Sequence, residues 1–210
     1  MNFLENVISE VDKALRTVFP QALRNPHRPT PGASLPAPSL SKAERQKTIG
    51  LMRVNHAGEV CAQALYQGQA LTAKLEHVRL QMDHAASEEV DHLAWCEARL
   101  QELDGQLSKL NVFWYAGSFI LGAMAGFAGD RISLGFVAET ERQVAAHLEA
   151  HLEKLPANDA KSKAILEQML IDETAHRESA LQSGGMQFPL PLQKLMQAVS
   201  KVMTQSSYYV

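Results

Sequence analysis

Most features that mark a chain's class are scarce in this sequence. Cysteine occurs twice in 210 residues, at Cys61 and Cys96, and never as C-x-x-C. That excludes a disulfide scaffold and suits a reducing compartment with both thiols buried as structural groups. A basic excess is missing: 20 Lys and Arg face 23 Asp and Glu, the net charge is −3, and no basic block dominates. Nucleic acid is therefore not an expected partner. The N-terminus, MNFLENVISEVDKAL, is acidic and lacks the basic and apolar regions of a secretory signal. No apolar run reaches the roughly 20 residues of a membrane crossing. The nearest is 112–129, VFWYAGSFILGAMAGFAG, which Asp130 and Arg131 close. Alternating β-branched residues are nearly absent, and no G-x-G-x-x-G follows a strand, so a dinucleotide fold is not expected.

What is present reads as helix. Leu4, Val7, Ile8, Val11, Leu15 and Val18 recur at helical spacing over 4–19. Six of the nine prolines then fall within 20–40, which predicts an extended linker. Ser41 opens S-K-A-E, a reciprocal capping pattern, and helix is expected from there to about Lys74. Further helices are expected over about 77–103, 112–128, 132–155, from 159 to 183, and over about 192–204, with Gly, Asn-Asp and Pro at the breaks. The prediction is an all-α chain: an arm over 1–41, then a ferritin-like four-helix bundle over 42–210. Its halves are joined by the apolar segment 112–128, and terminal amphipathic helices flank it.

Two of the long helices carry E-x-x-H, as Glu89-x-x-His92 and Glu173-x-x-His176. Three residues of helix place such a carboxylate and imidazole on one face. Chance supplies roughly 0.6 such matches in a chain of this composition, so neither decides anything alone. Their setting does. Glu59 precedes Glu89 by 30 residues, and Glu141 precedes Glu173 by 32. Each half thus supplies one single Glu and one Glu-x-x-His, the inward set of a di-metal bundle. Glu141 is flanked at helical spacing by Leu134, Val137, Ala138, Val144 and Leu148, and Glu89 and Glu173 also sit in apolar stripes; Glu59 does so least. Buried unpaired carboxylates cost several kcal/mol, and the stripes offer a single Arg as compensation. Metal ions are the natural counter-charge. Four carboxylates and two imidazoles suit iron, then manganese, better than zinc, and two divalent ions would leave the site nearly neutral and able to take O2. His56, Tyr66 and His147 lie close enough in sequence to support the ligands or touch substrate.

RVNHAGEVCAQALYQGQAL (53–71), EEVDHL (88–93), AETERQVAAHL (138–148) and DETAHRESAL (172–181) resemble the demethoxyubiquinone hydroxylase family, across about 42–210. The likeness is to its bacterial branch, since Asn55 and Leu148 stand where eukaryotic members have Asp and Tyr. The resemblance implies a di-iron mono-oxygenase of ubiquinone biosynthesis that hydroxylates the ring of a polyprenylated demethoxyubiquinol with O2 and an external electron donor. It implies that Glu59, Glu89 and His92 serve mainly one iron and Glu141, Glu173 and His176 the other, with Glu89 and Glu173 as bridges.

Such a substrate lives in the bilayer, and 112–128 has the character to reach it: Phe113, Trp114, Phe119, Ile120, Leu121, Met124 and Phe127. Gly122 and Gly126 offer a face for close helix approach, expected to receive another subunit of a homo-oligomer. The last helix, with Lys194 and Lys201 beside an apolar stripe, suits the same surface. A peripheral enzyme on the cytoplasmic face of the inner (cell) membrane is the expectation, with other ubiquinone-biosynthesis proteins as neighbours. Two other readings share part of this pattern. A soluble ferritin-like oxidase, peroxidase or manganese catalase would need the ligands but not the apolar segment. A non-enzymatic quinone-binding scaffold would need the reverse.

Overall fold

The computed structural model describes residues 3–19, 24 and 26–210. Its helices are α1 (Phe3–Val18), α2 (Lys42–Thr72), α3 (Glu76–Glu102), α4 (Asn111–Ala128), α5 (Asp130–Leu152), α6 (Ala160–Gln182) and α7 (Leu190–Tyr209), with no strand among the described residues. Within the expected arm, the side chains of Leu4 and Val7 and residues 20–23 and 25 of the proline-rich stretch lie outside the described residues.

Local chemistry sets the helix ends. The Ser41 hydroxyl accepts from the Glu44 N–H at 3.3 Å, while the Ser41 N–H donates to Glu44 Oε2 at 2.8 Å. Asp159 accepts from the Ser162 N–H at 3.2 Å and from the Arg99 guanidinium at 2.7 Å, so one carboxylate caps α6 and ties it to α3. α4 and α5 meet at Gly129, whose φ of 121° favours a residue without Cβ. Asp130 then accepts from the Lys74 and Leu75 N–H groups, both at 2.9 Å, and closes the α2–α3 turn.

α2, α3, α5 and α6 form the bundle, and two apolar clusters fix their directions. At one end Ile49 and Met52 of α2 meet Trp95 and Leu100 of α3, Leu148 of α5, and Leu166 and Met169 of α6. At the other, Ala62 and Tyr66 meet Val78, Met82, Leu134, Val137 and Ala180. From the first cluster to the second, residue numbers rise along α2 and α6 and fall along α3 and α5. The antiparallel pairs are therefore α2 with α3 and α5 with α6, the arrangement of a ferritin-like bundle.

α4 is the crossover. It runs parallel to α2, from Asn111 beside His56 to Gly126 beside Gln69 and Thr72. A Cβ at Gly68 would strike the Phe119 carbonyl, and one at Gly122 the backbone of Leu65. The glycine face expected to receive another subunit is thus occupied by α2 of the same chain. Its other face is exposed and apolar, with Phe113 at 71% and Phe127 at 73% and Ile120 and Met124 between them. α7 is longer than its periodicity predicts. Ser207 Oγ accepts from the Trp114 indole N–H at 3.0 Å, and the Tyr208 ring lies over Gly50, where a Cβ would not fit. Leu192, Leu195, Val199 and Val202 of α7 stay exposed.

The described part of the proline-rich stretch is not a free linker. It lies across α3 and α6: the His27 N–H donates to Asp91, the Trp95 indole donates to the Arg28 carbonyl, Gly32 sits against Ala164, and Asn158 donates to the Ser39 carbonyl. Prolines suit this path because they fix φ and carry no N–H to leave unsatisfied.

The contact of α2 with α4 gives a paired prediction. Gly68→Val should destabilise the fold by about 3 kcal/mol, because the obstacle is backbone and cannot turn aside. Gly117→Ala, with nothing within 4 Å of its Cβ position, should be neutral or stabilising by up to about 1 kcal/mol. Denaturant titration of both variants measures the difference, and equal effects would refute the close approach.

Candidate metal centre

Between the two apolar clusters lies a charged layer. α2 supplies Glu59, α3 Glu89 and His92, α5 Glu141, and α6 Glu173 and His176. Glu59, Glu89, His92, Glu141 and Glu173 are each no more than 2% exposed. Glu59, Glu89, His92 and Glu173 present ligand atoms that all lie within 4.8 Å of one another. His92 Nδ1 is 3.0 Å from Glu89 Oε2, 3.1 Å from Glu173 Oε1 and 3.6 Å from Glu59 Oε2. His176 Nδ1 is 3.1 Å from Glu173 Oε2 and 3.5 Å from Glu89 Oε1. Glu89 and Glu173 therefore each turn one oxygen toward each imidazole. Glu141 is held from behind, its Oε1 accepting from the Tyr66 hydroxyl at 2.5 Å.

The electrostatics follow from crowding acids out of water. Burial, and then the Glu89 charge, holds the Glu59 carboxyl well above the ordinary range; burial, and then Glu173 and Glu89, does the same to Glu141. Burial also works to raise Glu89, but the facing imidazoles outweigh it and hold Glu89 well below. Burial alone would lower both imidazoles. Against it, Glu173 and Glu89 push His176 up to about 12, and Glu89 and Asp172 hold His92 well above its ordinary value.

Protons on two rings do not complete this layer. Glu89 Oε1, Glu141 Oε2 and Glu173 Oε1 are buried and accept no well-formed hydrogen bond, one oxygen from each of three helices, although Glu89 Oε1 and Glu173 Oε1 lie 3.5 and 3.1 Å from an imidazole Nδ1. Orphaned buried carboxylate oxygens facing imidazole Nδ1 atoms fit a metal ion, and the oxygen-rich donor set suits iron or manganese.

Each imidazole is also gripped from behind. His92 Nε2 lies 2.9 Å from Asp172 Oδ2, and His176 Nε2 lies 2.9 Å from Glu88 Oε2. A donor contact there leaves the Nδ1 lone pair free for a metal. Ligand spacing alone does not point to Asp172 and Glu88. The signal was present, since each directly precedes a motif glutamate, in EEVDH and DETAH, and each serves the ring of the other motif.

The three expected supporting residues divide. Tyr66 touches Glu141. His56 spends its ring nitrogens on Glu97 at 3.1 Å and Asn111 at 3.4 Å. His147 packs against His151, with ring centroids 3.8 Å apart and the planes tilted by 55°, and lines a cavity of about 350 Å³ with Lys47, Lys154 and Tyr208. Of the cysteines, Cys96 is buried and Cys61 partly so.

The family described as "Ubiquinone biosynthesis protein COQ7" matches residues 46–207. A protein of Legionella pneumophila (strain Paris) is 58% identical over 209 residues, 100% of this chain and 98% of its own length. One of Polynucleobacter asymbioticus is 54% identical over 211 residues, covering all of both chains. One of Acinetobacter baylyi is 55% identical over 207 residues, 99% of this chain and 97% of its own. All three relatives carry the name 3-demethoxyubiquinol 3-hydroxylase.

Raised imidazole pKa values favour the metal-free fold below the ordinary histidine range, an advantage lost only as pH rises through the folded values, about 12 for His176. Both rings therefore hold protons at pH 7 that a metal must displace from Nδ1. Loading ferrous iron at pH 7 should release at least two protons per chain, one from each ring, and affinity should fall as pH is lowered. The buffer dependence of the calorimetric binding enthalpy measures the release, and enthalpies independent of buffer would sink the assignment.

Proposed function

Because the chain belongs to the COQ7 family of ubiquinone-biosynthesis proteins, we propose that it is a di-iron 3-demethoxyubiquinol 3-hydroxylase acting on a polyprenylated quinol at a membrane surface. The observation that carries this reading is the buried layer of four carboxylates and two imidazoles, with three orphaned oxygens, in a chain whose relatives bear that name. Glu59, Glu89 and His92 would hold one iron and Glu141, Glu173 and His176 the other. Glu89 and Glu173, which each face both rings, would serve as bridges.

An iron pair held there would supply dioxygen activation, for a net reaction in which one oxygen atom ends as the ring hydroxyl and the other as water, with two electrons and two protons from an external donor. The chain's own residues set the conditions. Glu88 and Asp172 accept from the two Nε2 atoms and hold the rings with Nδ1 inward. The Tyr66 hydroxyl donates to Glu141 and fixes which of its oxygens faces the layer. The apolar clusters at either end keep bulk water away, which strengthens every charge interaction inside. The two electrons would come from an external donor.

The exposed apolar faces of α4 and α7, joined through Trp114 and Ser207, support a peripheral position on the cytoplasmic face of the cell membrane. α4 is 18 residues long and apolar enough to cross a bilayer by composition. One side of it is packed along α2, so it serves here as a face laid on one leaflet.

Two measurements test this reading. Protein purified anaerobically with ferrous iron should contain two irons per chain by mass spectrometry and convert a demethoxyubiquinol to its hydroxylated product with O2. Glu173→Ala should retain less than one iron and no turnover. Less than one iron in the parent protein, unchanged by the substitution, would overturn the site. Separately, replacing Phe113 and Phe127 together with Ser should lower partition onto phosphatidylethanolamine–phosphatidylglycerol vesicles by at least about tenfold. Unchanged partition would refute the α4 face.

A further inference from the structure

The two imidazoles are gripped from behind in unequal ways. Glu88, behind His176, is about one-third exposed and shares its Oε2 with the surface residue His84, 3.2 Å away. Asp172, behind His92, is enclosed by donors: its Oδ2 accepts from His92 Nε2 at 2.9 Å and Arg28 Nη1 at 2.8 Å, and its Oδ1 from Gln168 Nε2 at 2.9 Å. Arg28 belongs to the arm, 144 residues away in sequence.

Arg28 is itself fixed. Its Nε donates to Asp91 Oδ2 at 2.8 Å, and its guanidinium lies over the Trp95 ring, 4.8 Å from the centroid. Asp91 is 1% exposed, and its other oxygen accepts the His27 N–H at 2.6 Å. One planar fork therefore spans a carboxylate on α3 and a carboxylate on α6, a geometry that lysine's point charge cannot reproduce. Trp95 also packs against His92, with ring centroids 5.2 Å apart, so Arg28 reaches that imidazole along two routes.

We infer that Arg28 is a positioning residue of the metal centre: it clamps Asp91 and Asp172, and through Asp172 it fixes the orientation of His92, so that the N-terminal arm forms part of the site. This rests on the iron-binding reading above. The lesion from removing Arg28 should be selective. The iron served by His92 should weaken, and the iron served by His176, whose partner Glu88 bonds to none of the described residues of the arm, should not.

The test uses the full chain carrying Arg28→Gln, Arg28→Lys, Asp172→Asn, or Arg28→Gln with Asp172→Asn. Ferrous iron affinity is read by chelator competition, occupancy of the two sites by Mössbauer spectroscopy, and integrity of the metal-free fold by thermal melting. Arg28→Gln should weaken one iron by about 10- to 100-fold, the range for losing a partner behind a ligand, and leave the other unchanged. Arg28→Lys should recover only part of that loss. Asp172→Asn should weaken the same iron, and adding Arg28→Gln should cost less than it does alone, because both act through one contact. Three results would overturn the inference: both irons bound as tightly as in the parent, both weakened together with a lower melting point, or additive effects of the two substitutions. A parent protein that binds no iron would instead overturn the functional reading on which the inference rests.

Discussion

Four carboxylates are held out of water in one layer of this bundle, and that constraint organises the rest of the structure. Glu59, Glu89, Glu141 and Glu173 come from four different helices and meet between two apolar clusters. The apolar clusters provide the driving force for folding, and the charged layer opposes it, since a desolvated carboxylate without a counter-charge costs several kcal/mol. The layer shifts its own groups: the facing carboxylates hold His92 and His176 above the ordinary histidine range, and burial raises Glu59 and Glu141 above the ordinary carboxyl range. Even so it leaves buried oxygens unpartnered. Such a layer could hold a metal ion, which would supply the missing counter-charge.

The layer is supported by contacts that repeat with the bundle's approximate two-fold symmetry. Each E-x-x-H helix presents its glutamate to both rings and lends the preceding acid to the ring of the opposite helix. α3 and α6 are therefore linked across the charged layer, and Arg99 with Asp159 links them again near the end of the bundle. The symmetry fails at the arm. Asp172 is sealed by Arg28, whereas Glu88 opens to the surface. The two halves of the centre sit in different electrostatic settings although their ligands are of the same kind.

α4 resolves a packing conflict of a different sort. A crossover must travel the length of the bundle, and an apolar crossover would ordinarily be buried. Here glycines let one side press into α2 at van der Waals range, leaving Phe113, Ile120, Met124 and Phe127 outside. The same helix is at once part of the fold and an apolar surface, and α7 extends that surface through the Trp114–Ser207 contact.

The helix order, the capping at Ser41 and the six residues of the charged layer could be read from the sequence alone, because helical periodicity is local and the 30- and 32-residue spacings repeat between halves. The acids behind the rings were legible in principle, as the residues directly before Glu89 and Glu173. Which acid serves which ring was not, because Asp172 lies 80 residues from His92 and only the crossing of α3 and α6 brings them together. The arm is the clearest case of what tertiary structure decided. Proline content marks residues 20–40 as irregular but says nothing of where they lie, and Arg28 meets Asp91 and Asp172 across 63 and 144 residues. Likewise, a Gly-x-x-x-Gly face predicts that some helix will approach closely, and only packing selects α2 of the same chain over another subunit. Periodicity records which side of a helix turns inward; contacts between segments distant in sequence depend on how the helices are stacked, and no local pattern encodes that.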